Sequence, residues 1–285
     1  MVLVSIIIEV GIMRDKTLNK RLGMSALKSQ LISDLVSQGK NVFNIKDLHE
    51  RIHSPSAARR IASDLLRSRW LESLGNGKYL VVDLSAGSKP LWVEDGFWVA
   101  ANLVSPGYIG YYNALNHYGW TEQVPQTITI ATTKRLRSRI LLGIQYEFVT
   151  LSKKKFFGFE KRFIRGKPIF ISNPEKTVVD SLDHPEYCGG ITEVAKALYN
   201  ARKEVNWSLV LEYAIQTGNG AILKRLGFLA EKMEVDLPRE VIETIHRQKT
   251  AGYAPLAPNQ PAKGRRNSKW GVLVNTVLNR DVILE

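Results

Sequence analysis

Seven side chains between positions 56 and 78 of this 285-residue chain are of the types that read nucleic acid. Ser56, Arg59, Arg60, Ser63 and Arg67 fall at spacings that share one side of a helix, and Asn76 and Lys78 follow closely. Arginine carries a fork of donors that matches the O6 and N7 edge of guanine, and serine hydroxyls reach phosphates or base edges. A second basic set comprises Lys134, Arg135, Arg137, Arg139, Lys153, Lys154 and Lys155. Set in the loops of a small sheet, these residues would form a polyanion surface with salt-sensitive contacts that carry no sequence information.

The elements that must position the first set are legible. Leu27, Leu31, Leu35 and Val36 predict a helix over about 25–38, stopped by Gly39. A short second helix is predicted to begin at Phe43 and Ile45, with Asn44 as its cap and Ile45, Leu48 and Ile52 inward. Ser54 and Pro55 then start a third helix, whose apolar stripe is Ala58, Ile61, Ala62, Leu65 and Leu66. Asn76-Gly77 joins two strand-like runs, because a type I′ turn needs positive φ at both central positions. Short helix, basic helix, hairpin is the order of a winged helix-turn-helix, expected over residues 25–84. Such a fold aims the start of its third helix at the major groove and sets the hairpin near the backbone or minor groove. The bland alternative is a protein-contact module whose arginines are merely solvated.

Net charge is +13, and it comes in blocks. Residues 1–90 carry a net +6, residues 134–170 carry 11 basic against 2 acidic side chains, and residues 241–285 carry a net +4. Polyanions are therefore the first partners to consider. The single cysteine, Cys188, excludes a disulfide framework and fits a reducing cytoplasm. The apolar start Met1–Met13, broken by Glu9 and Gly11, is too short for a spanning helix and lacks the marks of a signal peptide, so no membrane role is expected. Residues 1–24 read as an extension, with Met13 and Met24 as alternative starts.

Ser85–Pro90 marks a boundary by composition. Beyond it an α+β domain is expected over 91–247. A buried helix runs from Phe97, and a second, restarted by Ser105-Pro106, carries Tyr108, Tyr111, Tyr112, Leu115 and Tyr118. That tyrosine stripe is expected to pack on a sheet, with base stacking as the alternative. Strands are predicted at 127–131, 144–149, 156–164 and 168–171, and helices from Asn173 and over 191–203, 207–216, 219–233 and 238–247. Residues 248–285 read as a Pro/Gly-rich linker, 251–264, followed by a docking strand at Trp270.

Enzyme chemistry finds little support in these residues. There is no Gly-rich phosphate loop, no His-Glu-x-x-His and no Gly-x-Ser-x-Gly elbow. The acids of 171–240 sit beside Lys and Arg and read as surface pairs. His184, Glu186 and Cys188 lack the second His or Cys pair that a metal set would need, and Cys188 reads instead as a small buried residue. No catalytic residue, cofactor or metal is expected.

The run of motifs resembles the AbiEi family of antitoxins. The carriers are the 25–82 module, Gly110-Tyr-Tyr-Asn-Ala-Leu-Asn-His-Tyr-Gly-Trp, Thr127-Ile-Thr-Ile-Ala-Thr, Asn173-Pro-Glu-Lys-Thr-Val-Val-Asp and Pro185-Glu-Tyr-Cys-Gly-Gly. Phe156-Phe-Gly, Ala221-Ile-Leu-Lys-Arg-Leu-Gly-Phe-Leu and Lys269-Trp-Gly-Val-Leu-Val-Asn complete the set, over about 25–275. The resemblance implies a two-part cytoplasmic molecule. Its winged helix would bind inverted repeats in double-stranded promoter DNA and repress its own operon. Its second domain would counteract a nucleotidyltransferase toxin encoded nearby, in a type IV toxin–antitoxin or abortive-infection system, without needing a stable complex. The toxin's own pattern, Gly-Ser followed by paired aspartates, is absent here. Contact of the 134–167 block with DNA phosphates or with RNA is a further expectation. The alternatives are a stand-alone winged-helix regulator and a DNA-processing enzyme targeted by a winged helix.

Overall fold

The computed structural model describes residues 23–82, 93–164 and 166–284, and the chain divides into two compact units between Pro90 and Leu91. The architecture is mixed α and β. The expectations for the amino-terminal extension up to residue 22 and for the 85–90 boundary lie outside the described residues.

In the first unit α1 (Ala26–Ser37) is followed by β1 (Val42–Asn44), α2 (Ile45–Ile52), α3 (Pro55–Arg67), β2 (Leu71–Gly75) and β3 (Lys78–Val81). The three strands form an antiparallel sheet in the order β1-β3-β2. Two sequence expectations need correction. Leu27 and Val36 are exposed, and α1 turns Leu31, Ile32 and Leu35 inward instead. Phe43 belongs to a strand, because its buried ring packs across the β1–β3 pair on Tyr79, 5.7 Å away. The helix starts only after Asn44, whose side chain caps α2 while Asp47 accepts from the Asn44 amide at 2.7 Å. Leu35, Leu48, Ala58 and Leu65 meet at the centre with no exposure.

The second unit is built on a six-stranded sheet in the order β6-β7-β5-β4-β9-β8. Its strands are β4 (Gly107–Ile109), β5 (Thr127–Thr132), β6 (Arg139–Leu141), β7 (Ile144–Thr150), β8 (Phe159–Ile164) and β9 (Lys167–Ser172). Two helices precede β5: α4 (Val93–Leu103) and α5 (Tyr111–His117). Period two puts Ile128 and Ile130 on one face, where Gly96 of α4 approaches Ile128 and Tyr146, and Ala131 on the other, in the main core. On that second side lie α6 (Pro174–Asp183), α7 (Ile191–Ala201), α8 (Trp207–Thr217), α9 (Gly220–Met233) and α10 (Arg239–Gln248).

The expected helix restart at Ser105-Pro106 does not occur. Tyr108 and Ile109 enter the sheet between β5 and β9, where burial on both faces outweighs a local helix-start signal. The helix begins after Gly110, so there is no continuous tyrosine stripe. Tyr108 and Tyr111 are fully buried, which closes base stacking to them. Strand β8 starts at Phe159 rather than 156, since Lys153–Lys155 form a 3-10 turn.

The expected docking strand after Trp270 is present on the main core, but 251–264 is not a loose linker. β10 (Ala254–Pro255) pairs in parallel with β12 (Val272–Val274), and β11 (Arg265–Asn267) pairs with β12 antiparallel. Leu256, Ala257, Trp270, Val272 and Leu278 join the main core, and α11 (Arg280–Leu284) adds Ile283. The Pro/Gly composition shows how the segment turns, and Leu256 with Ala257 shows why it stays packed. Among the described residues no helix is long and apolar enough to cross a membrane.

Candidate nucleic-acid interface

α3 presents its two faces as the sequence predicts. The Ser54 hydroxyl accepts from the Ala57 amide at 3.4 Å, and Pro55 takes the first helical position. Ala58, Ile61, Ala62 and Leu65 are buried against α2 and β2, while Ser56, Arg59, Arg60, Ser63 and Arg67 are exposed. Leu66 is only half-buried, at the margin of the stripe. Arg67 leans on Asp64 at 3.4 Å, and Asp64 also accepts from Lys28 at 3.0 Å. That lysine hydrogen bond, with Arg67 and Arg60 nearby, holds the Asp64 carboxyl below its ordinary range. Among the described residues Arg59 and Arg60 form no ion pair, so their donors remain available to an external acceptor.

The hairpin is short. Asn76 and Gly77 have φ of 52° and 70°, as a two-residue turn between Gly75 and Lys78 requires. The Gly77 carbonyl accepts from the Ile45 amide at 2.8 Å, which ties the turn to the start of α2. Asn76 is exposed at the tip, whereas Lys78 is half-buried and paired with Asn44 of β1. The loop therefore does not extend beyond the third strand, and Asn76 is the better placed of the two for outside contact.

The second basic set divides. Lys134, Arg135 and Arg137 are exposed on one loop, and Lys153 and Lys154 are exposed on the 3-10 turn. Two members are not free loop cations. Arg139 is half-buried on strand β6, in register with Tyr146. Lys155 turns inward to Asp183 at 2.6 Å, because the 3-10 turn packs its third residue against α8 and the end of α6.

A buried polar network escaped the sequence reading. The acids of 171–240 are not all surface partners: Asp180 and Asp183 are buried on α6 with Lys176, and Arg225 is buried on α9. Lys176 pairs with Asp180 one turn on, and the Tyr108 hydroxyl donates to Asp180 at 2.8 Å. Burial pushes the Asp180 carboxyl up, against the pull of Lys176 and Tyr108. Asp183 ends below its ordinary value: burial raises it, but hydrogen bonds from Lys155 and Asn219 prevail. Arg225 donates to the Leu182 carbonyl at 2.6 Å and the Pro255 carbonyl at 3.0 Å, pinning the carboxy-terminal segment to the end of α6. The i, i+4 spacing of Lys176 and Asp180 is visible in the sequence, but that they face inward depends on the elements packed around α6.

Among the described residues no group of three His, Cys, Asp or Glu side chains is arranged to hold a metal ion. His184 contacts Glu186 at 2.9 Å, and buried Cys188 lies 3.3 Å from the Ser181 hydroxyl. Burial pushes the Cys188 thiol well up, which makes it a poor nucleophile.

These features define an α+β chain of two units with a basic helix face in the first. No protein-family model and no curated protein matches the chain. Its fold is similar to that in "Crystal structure of RV2827C protein from Mycobacterium tuberculosis". That protein is 14% identical, with 90% of this chain and 93% of that one covered and a TM-score of 0.63. At that identity the likeness concerns the fold alone.

Proposed function

We propose that residues 25–82 are a winged helix-turn-helix that binds double-stranded DNA, and that the protein is an AbiEi-like autorepressor and antitoxin. The observation that carries the reading is α3, whose exposed face holds Ser56, Arg59, Arg60 and Ser63 while its opposite face closes the core. A helix starting at a capped, proline-led turn gives its first two turns to the groove, and unpaired arginines there read guanine. Asn76 at the hairpin tip would touch the backbone. The short hairpin limits the wing's share, so specificity rests on α3. The antitoxin part follows from the motif resemblance over 25–275 and assigns to the second unit the counteraction of a nucleotidyltransferase toxin in the cytoplasm.

The test is binding of the purified protein to a duplex from its own promoter, beside Arg59→Ala/Arg60→Ala. Each lost base contact should weaken binding by about 1–3 kcal/mol and relax sequence preference. An unchanged double variant removes α3 as the reading helix. Co-expression with the neighbouring nucleotidyltransferase tests the second unit, and growth arrest that the protein fails to relieve leaves a stand-alone regulator. Metal-dependent cleavage of the duplex would favour a DNA-processing enzyme instead.

A further inference from the structure

The outer end of the β8–β9 hairpin is a corner of the sheet with an uncovered face. Ile109 pairs with both Ile130 and Ile171, so these three share the face under α4. Glu160 and Arg162, opposite Ile171 and Ile169, lie on that face too. Phe159, Lys161 and Phe163 therefore point the other way, with Phe170 and Pro168 across from Lys161 and Phe163. Phe159 is half-buried against the main core. Beyond it the core gives out: Phe163 is 64% exposed and Phe170 44%.

These rings are held and charged in a particular way. Phe170 meets Phe159 edge-on at 5.9 Å, and Phe159 stacks on buried Tyr108 at 5.0 Å, so a row of aromatics buttresses the platform from the core. The Lys161 ammonium lies 5.1 Å from the Phe163 ring centroid. Of the two acids in 134–170, Glu160 is bound to Arg162 on the other face, and Glu147 shares this face but lies across the sheet on β7. Two exposed rings with a lysine between them, one of them buttressed from the core, are complementary to unpaired bases on a phosphate backbone. A duplex has its bases already stacked and offers such a platform no ring face. Long-lived unpaired strands in a cell are chiefly RNA.

We propose that Phe163 and Phe170, with Lys161 between them, form a stacking platform for single-stranded RNA. The site is separate from α3 and does not rest on the reading of that helix. The rings supply sequence-tolerant stacking, and the cations give the affinity its salt dependence.

The experiment is fluorescence polarisation of the full-length protein with a labelled twelve-nucleotide oligouridylate at low salt, beside an oligothymidylate and a promoter duplex. Phe163→Ala/Phe170→Ala should weaken the RNA affinity roughly tenfold or more per ring. Its salt slope and duplex binding should stay unchanged. Phe163→Tyr should keep most of the RNA affinity, and Lys161→Ala should lower the salt slope by about one. Phe163→Ala alone, at the more exposed ring, covers the case in which the double variant melts early. Three results overturn the proposal: no binding of oligouridylate by the wild type, unchanged affinity in the alanine variants, or tighter binding of the DNA strand. A first or second result coupled with ring-dependent capture of an acidic protein reassigns the platform to a protein partner.

Discussion

Lys176 and Asp183 show how much a single buried charge decides in this chain. Lys176 has no exposure, and its ammonium is the counter-charge of Asp180. Lys176→Met should therefore destabilise the second unit by about 3–5 kcal/mol, because an uncompensated carboxylate is left inside. Lys176→Met/Asp180→Leu should recover most of that in urea melts, and no recovery would show that the pair does more than neutralise itself. For Asp183 the sign of the pH effect follows from its folded-state value, which lies below the unfolded one. Its contribution is full above the unfolded carboxylate range near ~4 and is lost as pH falls through the folded value. Asp183→Asn should cost roughly 2 kcal/mol at pH 7, with the gap to the wild type narrowing in acid. A gap constant from pH 7 to pH 3 would contradict this. Neither group was recognisable from spacing alone, since an i, i+4 Lys–Asp pair looks the same on a surface as in a core.

Elements carried by a local signal were legible, and elements decided by their neighbours were not. Asn44, Ser54 and Asn173 cap helices as their residue types require, and Asn76-Gly77 makes its turn, because each needs only adjacent backbone. Tyr108 and Phe43 sit beside helix-start signals in the sequence, and a three-residue strand has almost no pattern of its own; the strands beside it supply the register. The carboxy-terminal segment makes the same point. Trp270 lies over Gly227 of α9 so closely that an added Cβ would stand 2.1 Å from its ring, and it stacks on His246 at 4.6 Å. Gly227→Ala should push the indole off, cost about 1–3 kcal/mol and expose the last thirty or so residues to protease. Unchanged melting and digestion would mean that the ring has room to shift.

At the scale of the whole molecule, the two units have separate cores, one around Leu35, Leu48 and Leu65 and one around α6 and α9. Fragments 23–84 and 91–285 should each melt cooperatively when made alone; a fragment without a transition would show that its core is incomplete. Only the first should keep duplex affinity, and only the second should bind oligouridylate. The +13 charge, its three blocks, the α3 face and most helix boundaries were determined by sequence, because composition, period and capping act over a few residues. Tertiary structure alone decided which charges are working surface and which are interior struts. It turned Lys155 inward, buried Tyr108 and Tyr111 and left Phe163 and Phe170 in the open. The reason is physical: burial of a charge or a ring depends on which distant elements cover it, and no window of neighbouring residues records that.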